Sequence, residues 1–282
     1  MVAAGGCALA LAQALGGSGP AAVGDRAEFT DRSCLAYRPP EGPDHPKTVF
    51  VDAGHGGLDE GTHGTAPDGT RITEKQVALA TAKQVKARLL ERGYEVVMSR
   101  TKDSSVGVIP GNEVNGTTYS VRGDRRDIRG RVDCANEADA DLLVSVHFNA
   151  FDDPSAGGAT TYYDPDRGFA MRNERLARDI QDGIMAAYSR AGWTAIPDRG
   201  VVPDTSGSGA AVSAEARSYG HLYLLGPRLK GFNDEPSLMP GVLTEPLFLT
   251  DPPEAQIAAS AHGRRVIATG IADGIDDYFH GA

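Results

Sequence analysis

Two histidines each close a short run of apolar, β-branched residues. Val49-Phe50-Val51 leads through Asp52-Ala53-Gly54 into His55, and Leu142-Leu143-Val144-Ser145-Val146 leads into His147. Such runs read as buried strands, and the carboxyl end of a strand in an open α/β sheet is where ligands collect. Two carboxylates join them: Glu74 opens an amphipathic stretch, and Glu245 lies in the apolar run 242–248. If the strands are parallel, both imidazoles fall on one sheet edge, with Glu74 directed toward it. Two histidines and a glutamate are one known ligand set for catalytic zinc, which keeps a position open for water. Glu245 is then the candidate general base. The sequence contains no HExxH, so the helical zincin arrangement is absent.

Each of these residues has a plainer explanation when taken alone. Glu74 at a helix start complements the helix dipole. His147 can be a hydrogen-bonded strand-end residue. Glu245 is harder to set aside, because an unpaired carboxylate in an apolar strand is costly. The four together argue for a metal site. His63, His221, His262 and His280 are assigned to surface or loop roles, with His63 and His221 the nearest to lining a groove. Trp193 and the Tyr162–Tyr163 pair read as packing residues. Glu254, Asp273, Asp276 and Asp277 read as a solvated helix face and end.

The elements that must position these groups follow from the spacing. Thr73-Glu74-Lys75-Gln76 fits a capping box. Val77, Thr81, Val85 and Leu89 continue it as a helix that stops at Gly93. A second strand is expected over 94–98, a polar insertion over 101–124 and a helix over 127–138. Further strands are expected at 158–163, 222–225 and 242–248, with a Gly/Ser-rich loop over 201–221. Leu176, Ile180, Ile184 and Tyr188 mark another helix, and Ile257, Ile267, Ile271, Ile275 and Tyr278 mark a last one. This alternation implies an α/β fold: a single three-layer domain with a largely parallel central sheet flanked by helices, over residues 47–282. Residues 1–46, rich in Gly, Ala and Pro, read as leader and linker.

Composition narrows the function classes. A chain of 282 residues can bury one sizeable core. A net charge of -10 excludes the basic face that nucleic acid or an anionic membrane surface would require. No run is long enough to span a bilayer. Ala4-Gly5-Gly6-Cys7 faintly resembles a lipoprotein cleavage box without a basic n-region, so it reads as a truncated export signal or an Ala/Gly-rich leader, with Cys7 a candidate lipid anchor. Cys7, Cys34 and Cys134 form no CxxC pair. If the chain is exported, Cys34 can pair with Cys134; otherwise they are buried thiols.

Five blocks in order carry a resemblance: Asp52-Ala-Gly-His-Gly-Gly57; Glu74; Arg131-xx-Cys-Ala-Asn136-xx-Ala-Asp139; Ser145-Val-His147-Phe-Asn149-Ala150; and Leu243-Thr-Glu245-xx-Phe248. Together they resemble the zinc-dependent N-acetylmuramoyl-L-alanine amidases of bacterial cell-wall turnover (amidase type 3). The resemblance runs from about Val49 to Tyr278. It implies that His55, Glu74 and His147 bind Zn2+ and that Glu245 is the catalytic acid/base. It implies a peptidoglycan or muropeptide substrate, cut at the amide between N-acetylmuramic acid and the first L-alanine of the stem. It also implies an extracytoplasmic location. Arg131 and Asn149 match recurring family positions and are expected to pack helices and support loops. Ala53 stands where the family commonly has proline, and the segments 104–124 and 201–221 are longer than usual, so each either shapes the substrate groove or covers it. The alternatives are a zinc peptidase or amidase with another amide substrate, and a zinc-holding wall-binding module without turnover.

Overall fold

The computed structural model describes residues 32–39, 47–205 and 218–281. The expected leader before residue 32, Cys7 with its candidate lipid anchor, and the Gly/Ser-rich centre of the 201–221 loop lie outside the described residues.

Chain order gives β1 (Leu35–Tyr37), β2 (Thr48–Ala53), β3 (His63–Thr65), β4 (Arg71–Thr73), α1 (Glu74–Glu91) and β5 (Glu95–Met98). Next come β6 (Val114–Asn115), β7 (Thr118–Tyr119), α2 (Val121–Glu137), β8 (Leu142–Val146), β9 (Ala159–Tyr163) and α3 (Ala170–Arg190). The chain closes with β10 (Asp198–Pro203), β11 (Gly241–Glu245), α4 (Pro252–Ala259) and α5 (Ala261–His280). Seven strands form one sheet in the order β1-β5-β2-β8-β11-β9-β10. Its centre, β5-β2-β8-β11, is parallel throughout, whereas β1 joins β5 and β9 joins β11 antiparallel. The sheet is therefore mixed around a parallel core.

The strand period of two sorts side chains between the faces. Val49, Val51 and Ala53 of β2, with Leu142, Val144 and Val146 of β8, pack in one apolar cluster with residues of α1, α3 and α5. Phe50 and Leu143 point the other way, into a second cluster with Val132, Cys134 and Ala135 of α2. Helices on both faces leave the carboxyl ends of β2, β8 and β11 as the open edge. No described helix is long and apolar enough to cross a membrane.

Several expectations are corrected. The folded unit begins before residue 47, because β1 lies on the sheet edge with Cys34, Ala36 and Tyr37 buried. Thr73 is the N-cap of α1, yet its side chain makes no capping bond. Helix α2 starts at Val121, ahead of residue 127, because Ser120 caps it by accepting from the Gly123 amide. The segment 222–225 is a turn whose Leu224 and Leu225 fill the second cluster, so its apolar run reflects burial and not a strand. The start of the 201–221 loop is strand β10. The last helix is two, divided at Ser260, whose hydroxyl accepts from the Gly263 amide to start α5.

Cys34 and Cys134 form a disulfide that ties the residue before β1 to α2 across a sequence separation of 100. Closing a loop of that size restricts the unfolded chain, so reduction is expected to lower stability by about 2–4 kcal/mol. Urea melts with and without reductant measure it; coincident midpoints would remove the disulfide from the stability account.

Candidate metal centre

The parallel pairing of β2 with β8 places Ala53 opposite Val146, so His55 and His147 leave the sheet side by side. Glu74 reaches them from the first turn of α1. The three donor atoms form a near-equilateral triangle. His147 Nδ1 lies 3.1 Å from His55 Nε2 and 2.9 Å from Glu74 Oε1, and His55 Nε2 lies 3.0 Å from the same oxygen. Donors about 2.0–2.1 Å from a tetrahedral cation stand about 3.3 Å apart, so the triangle is close to the spacing a small divalent cation needs. Neighbouring backbone makes room for it. A Cβ on Gly54 would stand 2.5 Å from His147 Nε2, and one on Gly61 would stand 2.5 Å from Glu74 Oε2 and 2.6 Å from His55 Cδ2.

Outer contacts orient two of the three donors. His55 Nδ1 sits 2.6 Å from Asp59 Oδ2, which leaves Nε2 for the cluster. Glu74 Oε2 accepts from the Thr62 amide at 2.9 Å, and Oε1 accepts from the Phe148 amide at 3.0 Å. Burial opposes an ionised Glu74, but the two imidazoles override it and hold its carboxyl well below the usual carboxylate range. Burial also pulls the His55 imidazole down, and the Glu74 and Asp59 carboxylates reverse this, carrying it up to about 10. The field inside the triangle therefore favours positive charge, which is the condition for holding a cation.

His55 itself has φ +60°, a left-handed conformation that costs a non-glycine residue energy unless its surroundings enforce it. Two buried arginines enforce it. Arg100 Nε donates to Ala53 O at 3.0 Å, and its Nη2 donates to Gly54 O and Lys75 O, each at 2.8 Å. Arg131 Nη1 donates to Ala53 O and Nη2 to His55 O, each at 2.7 Å. Arg131 also pairs with Asp52 and Asp127, each at 2.6 Å. Every carbonyl from Ala53 to His55 is thus held by a guanidinium. Sequence reasoning missed Arg100 and Asp59, and it expected Arg131 to pack helices and support loops; Arg131 supports the His55 turn. Fork-to-carbonyl contacts have no fixed spacing to read.

Glu245, at the end of β11, lines the same cleft of about 440 Å³ as His55, Glu74, His147, Asn149 and Tyr162. Burial, reinforced by the Glu74 carboxylate and opposed by His55, pushes the Glu245 carboxyl up to about 8. A second cavity of about 160 Å³ adjoins the cluster on the α2 side and shares Leu222 and Leu243 with the first. Tyr162 faces the cleft and is no mere packing residue. Trp193 lies tilted against Tyr188 and meets His262 edge-on. His63 is exposed on β3. Glu254 is not on a solvated face: it is buried and accepts from the amides of Gly158 and Phe248. His221 is one of three members of an ion-paired cluster away from the triangle, described below.

Fold and site together describe an α/β domain of the hydrolase kind, with its donor groups at the carboxyl edge of a parallel sheet core. The chain belongs to the N-acetylmuramoyl-L-alanine amidase family, whose model matches residues 49–277. It is 28% identical over 233 residues to the germination-specific N-acetylmuramoyl-L-alanine amidase of Bacillus subtilis, covering 83% of this chain and 80% of that one. An N-acetylmuramoyl-L-alanine amidase of Clostridium difficile 630 superposes with a TM-score of 0.57 at 27% identity, covering 84% of this chain and 99% of that chain. The CwlD amidase of Clostridioides difficile shares the fold, with a TM-score of 0.61 at 24% identity over 83% of this chain and 98% of that chain.

Proposed function

We propose that this protein is a zinc-dependent peptidoglycan amidase that cuts the bond between N-acetylmuramic acid and the L-alanine of the stem peptide. The observation that carries the reading is the donor triangle of His55, Glu74 and His147 with Glu245 in one open cleft, in a chain of this family. Two imidazole nitrogens and a carboxylate oxygen are the N/O donor set that suits zinc. A zinc ion bound there supplies Lewis acidity toward the amide carbonyl and toward water. Glu245 takes a proton from the attacking water as the oxygen bonds to the carbonyl carbon. It returns that proton to the alanine nitrogen as the C–N bond breaks, which releases a free amine and the lactyl carboxylate. Arg100 and Arg131 hold the His55 turn, and Asp59 fixes the tautomer and direction of its ring. The catalytic unit covers the described residues from β1 to α5. The Cys34–Cys134 disulfide supports action outside the cytoplasm, where such bonds persist.

Purified wall material is expected to release stem peptides on incubation with the protein, to stop doing so after chelation, and to resume on zinc addition. Release that survives chelation would refute the metal dependence. Peptide cleavage without new N-terminal alanine would point to a different amide. Zinc binding without any release would indicate a wall-binding module.

Removing the carboxylate behind His55 gives a narrower test. Asp59→Ala is expected to weaken zinc binding about 10–100-fold, the usual effect of losing a carboxylate partner of a ligating histidine. Competition against a chromogenic chelator reads this directly, and wild-type affinity in the variant would show that Asp59 does not orient the ligand.

A further inference from the structure

We infer that the chain carries a second cation site, separate from the cleft triangle, formed by Asp164, Asp204 and His221. Asp164 and Asp204 follow the carboxyl ends of the neighbouring parallel strands β9 and β10, and the Asp204 amide bonds Tyr163 O at 2.8 Å to bring them together. Both aspartates are fully buried. His221 comes back over them from the end of the 201–221 segment.

Each carboxylate is oriented by one oxygen and leaves the other aimed at a common point. Asp164 Oδ1 accepts from the Asp166 amide at 2.7 Å, and Asp204 Oδ2 accepts from the Leu222 amide at 3.0 Å. The remaining oxygens, Asp164 Oδ2 and Asp204 Oδ1, lie 2.9 Å and 3.3 Å from His221 Nδ1. One imidazole N–H cannot serve both, and Asp164 Oδ2 is a buried oxygen without a hydrogen-bond partner among the described residues. An orphaned oxygen on a buried carboxylate is costly, and a divalent cation would satisfy all three donors at once. Both separations from His221 Nδ1 are close to those in the cleft triangle, and all three donor atoms lie within 4.8 Å of one another. Two carboxylate oxygens and one imidazole nitrogen form a donor set for zinc or manganese, whereas calcium takes six to eight oxygens.

The surroundings agree. Asp166 Oδ2 lies 3.6 Å from His221 Nε2, so the far ring nitrogen has a carboxylate beside it, as ligating histidines usually do. Arg167, the nearest guanidinium, is turned to the carbonyls of Leu225, Gly226 and Ser237 and forms no ion pair with the cluster. Burial raises both aspartates above their usual range, and repulsion from the Asp164 carboxylate adds to this at Asp204. The site is structural in kind. Through Asp204 it anchors Leu222, a wall residue of both cavities beside the cleft triangle.

The test is zinc content of the untagged full chain, stripped with chelator and dialysed against zinc alone. The wild type is expected to hold about two equivalents. His147→Ala disables the cleft triangle without touching this cluster and is expected to keep about one equivalent. Asp204→Asn and His221→Gln are each expected to lose that one and keep the other. A His147→Ala chain without zinc overturns the inference, even if the Asp204 variant fails to fold. So does an Asp204→Asn chain with wild-type content. A wild type holding a single equivalent that Asp204→Asn abolishes would support this site and refute the cleft reading, so the two fail separately.

Discussion

Glu245→Gln is expected to lower kcat for stem release by about 10²–10⁴-fold, the range typical for loss of a general acid/base. Zinc content and KM should stay near wild type. Glutamine keeps the shape of the side chain at the end of β11, so no cavity opens and the cleft wall is preserved. What it removes is proton exchange. The Glu245 carboxyl, pushed up to about 8 by burial and by Glu74, is more basic than an ordinary carboxylate. It is therefore suited both to accept a proton from water and to give it to an amine near neutral pH. A carboxyl raised to about 8 carries little charge at neutral pH, so the neutral amide replaces it at little cost and the variant should melt close to wild type. That combination separates a chemical role from a structural one. Turnover within a few-fold of wild type would remove Glu245 from the mechanism. Loss of zinc along with activity would move it into the donor set.

The contrast between residues that announce themselves and those that do not is physical. His55 and His147 were legible because each ends an apolar run and Glu245 because it interrupts one, and a polar residue there must face an edge or be costly. Glu74 was legible because Thr73 and the four-residue apolar spacing locate the start of α1. The parallel core followed from alternation of elements. Strand β1 did not, since three residues behind a Pro-rich stretch carry no period, and its place depends on a disulfide and pairing with β5. The break at Ser260 was invisible because the isoleucines on either side keep helical spacing across it. Glu254 looked like a solvent-facing acid, and nothing singled out Asp164 and Asp204, because burial of a carboxylate is decided by backbone amides and packing that the local sequence does not name.

Arg131→Met is expected to destabilise the fold by about 3–5 kcal/mol at pH 7, the cost of stripping one partner from a buried ion pair. Arg131 is 3% exposed and is shared by two carboxylates. Asp52 Oδ2 is occupied by the Ser145 hydroxyl at 2.6 Å, and Asp127 Oδ1 takes the Gly107 amide at 3.2 Å. Neither acid can turn to water when the guanidinium goes. Methionine fills similar volume, so the loss reports on charge and donors more than on packing. Arg131→Lys should recover only part, because one ammonium cannot serve two carboxylates and two carbonyls at once. The pH dependence tells this account from a generic packing defect. In the wild type, burial raises the Asp52 carboxyl but Arg131, Ser145 and Ser99 override it and hold it low. Its folded-state pKa lies below the unfolded one, so the stability it contributes is present above the ordinary carboxylate range and is lost as pH falls. In the variant, the Ser145 and Ser99 hydroxyls remain but no guanidinium offsets burial, so that carboxyl rises, and the penalty at neutral pH is relieved by protonation in acid. The gap between wild type and variant should therefore narrow as pH drops from 7 toward about 4. Urea melts across that interval measure it. A constant gap would mean that the guanidinium acts only by filling space, and the reason for its place against the His55 turn would have to be sought elsewhere. A narrowing gap, with zinc affinity falling alongside stability, would tie the ion pair of Asp52 and Arg131 to the left-handed turn that presents His55.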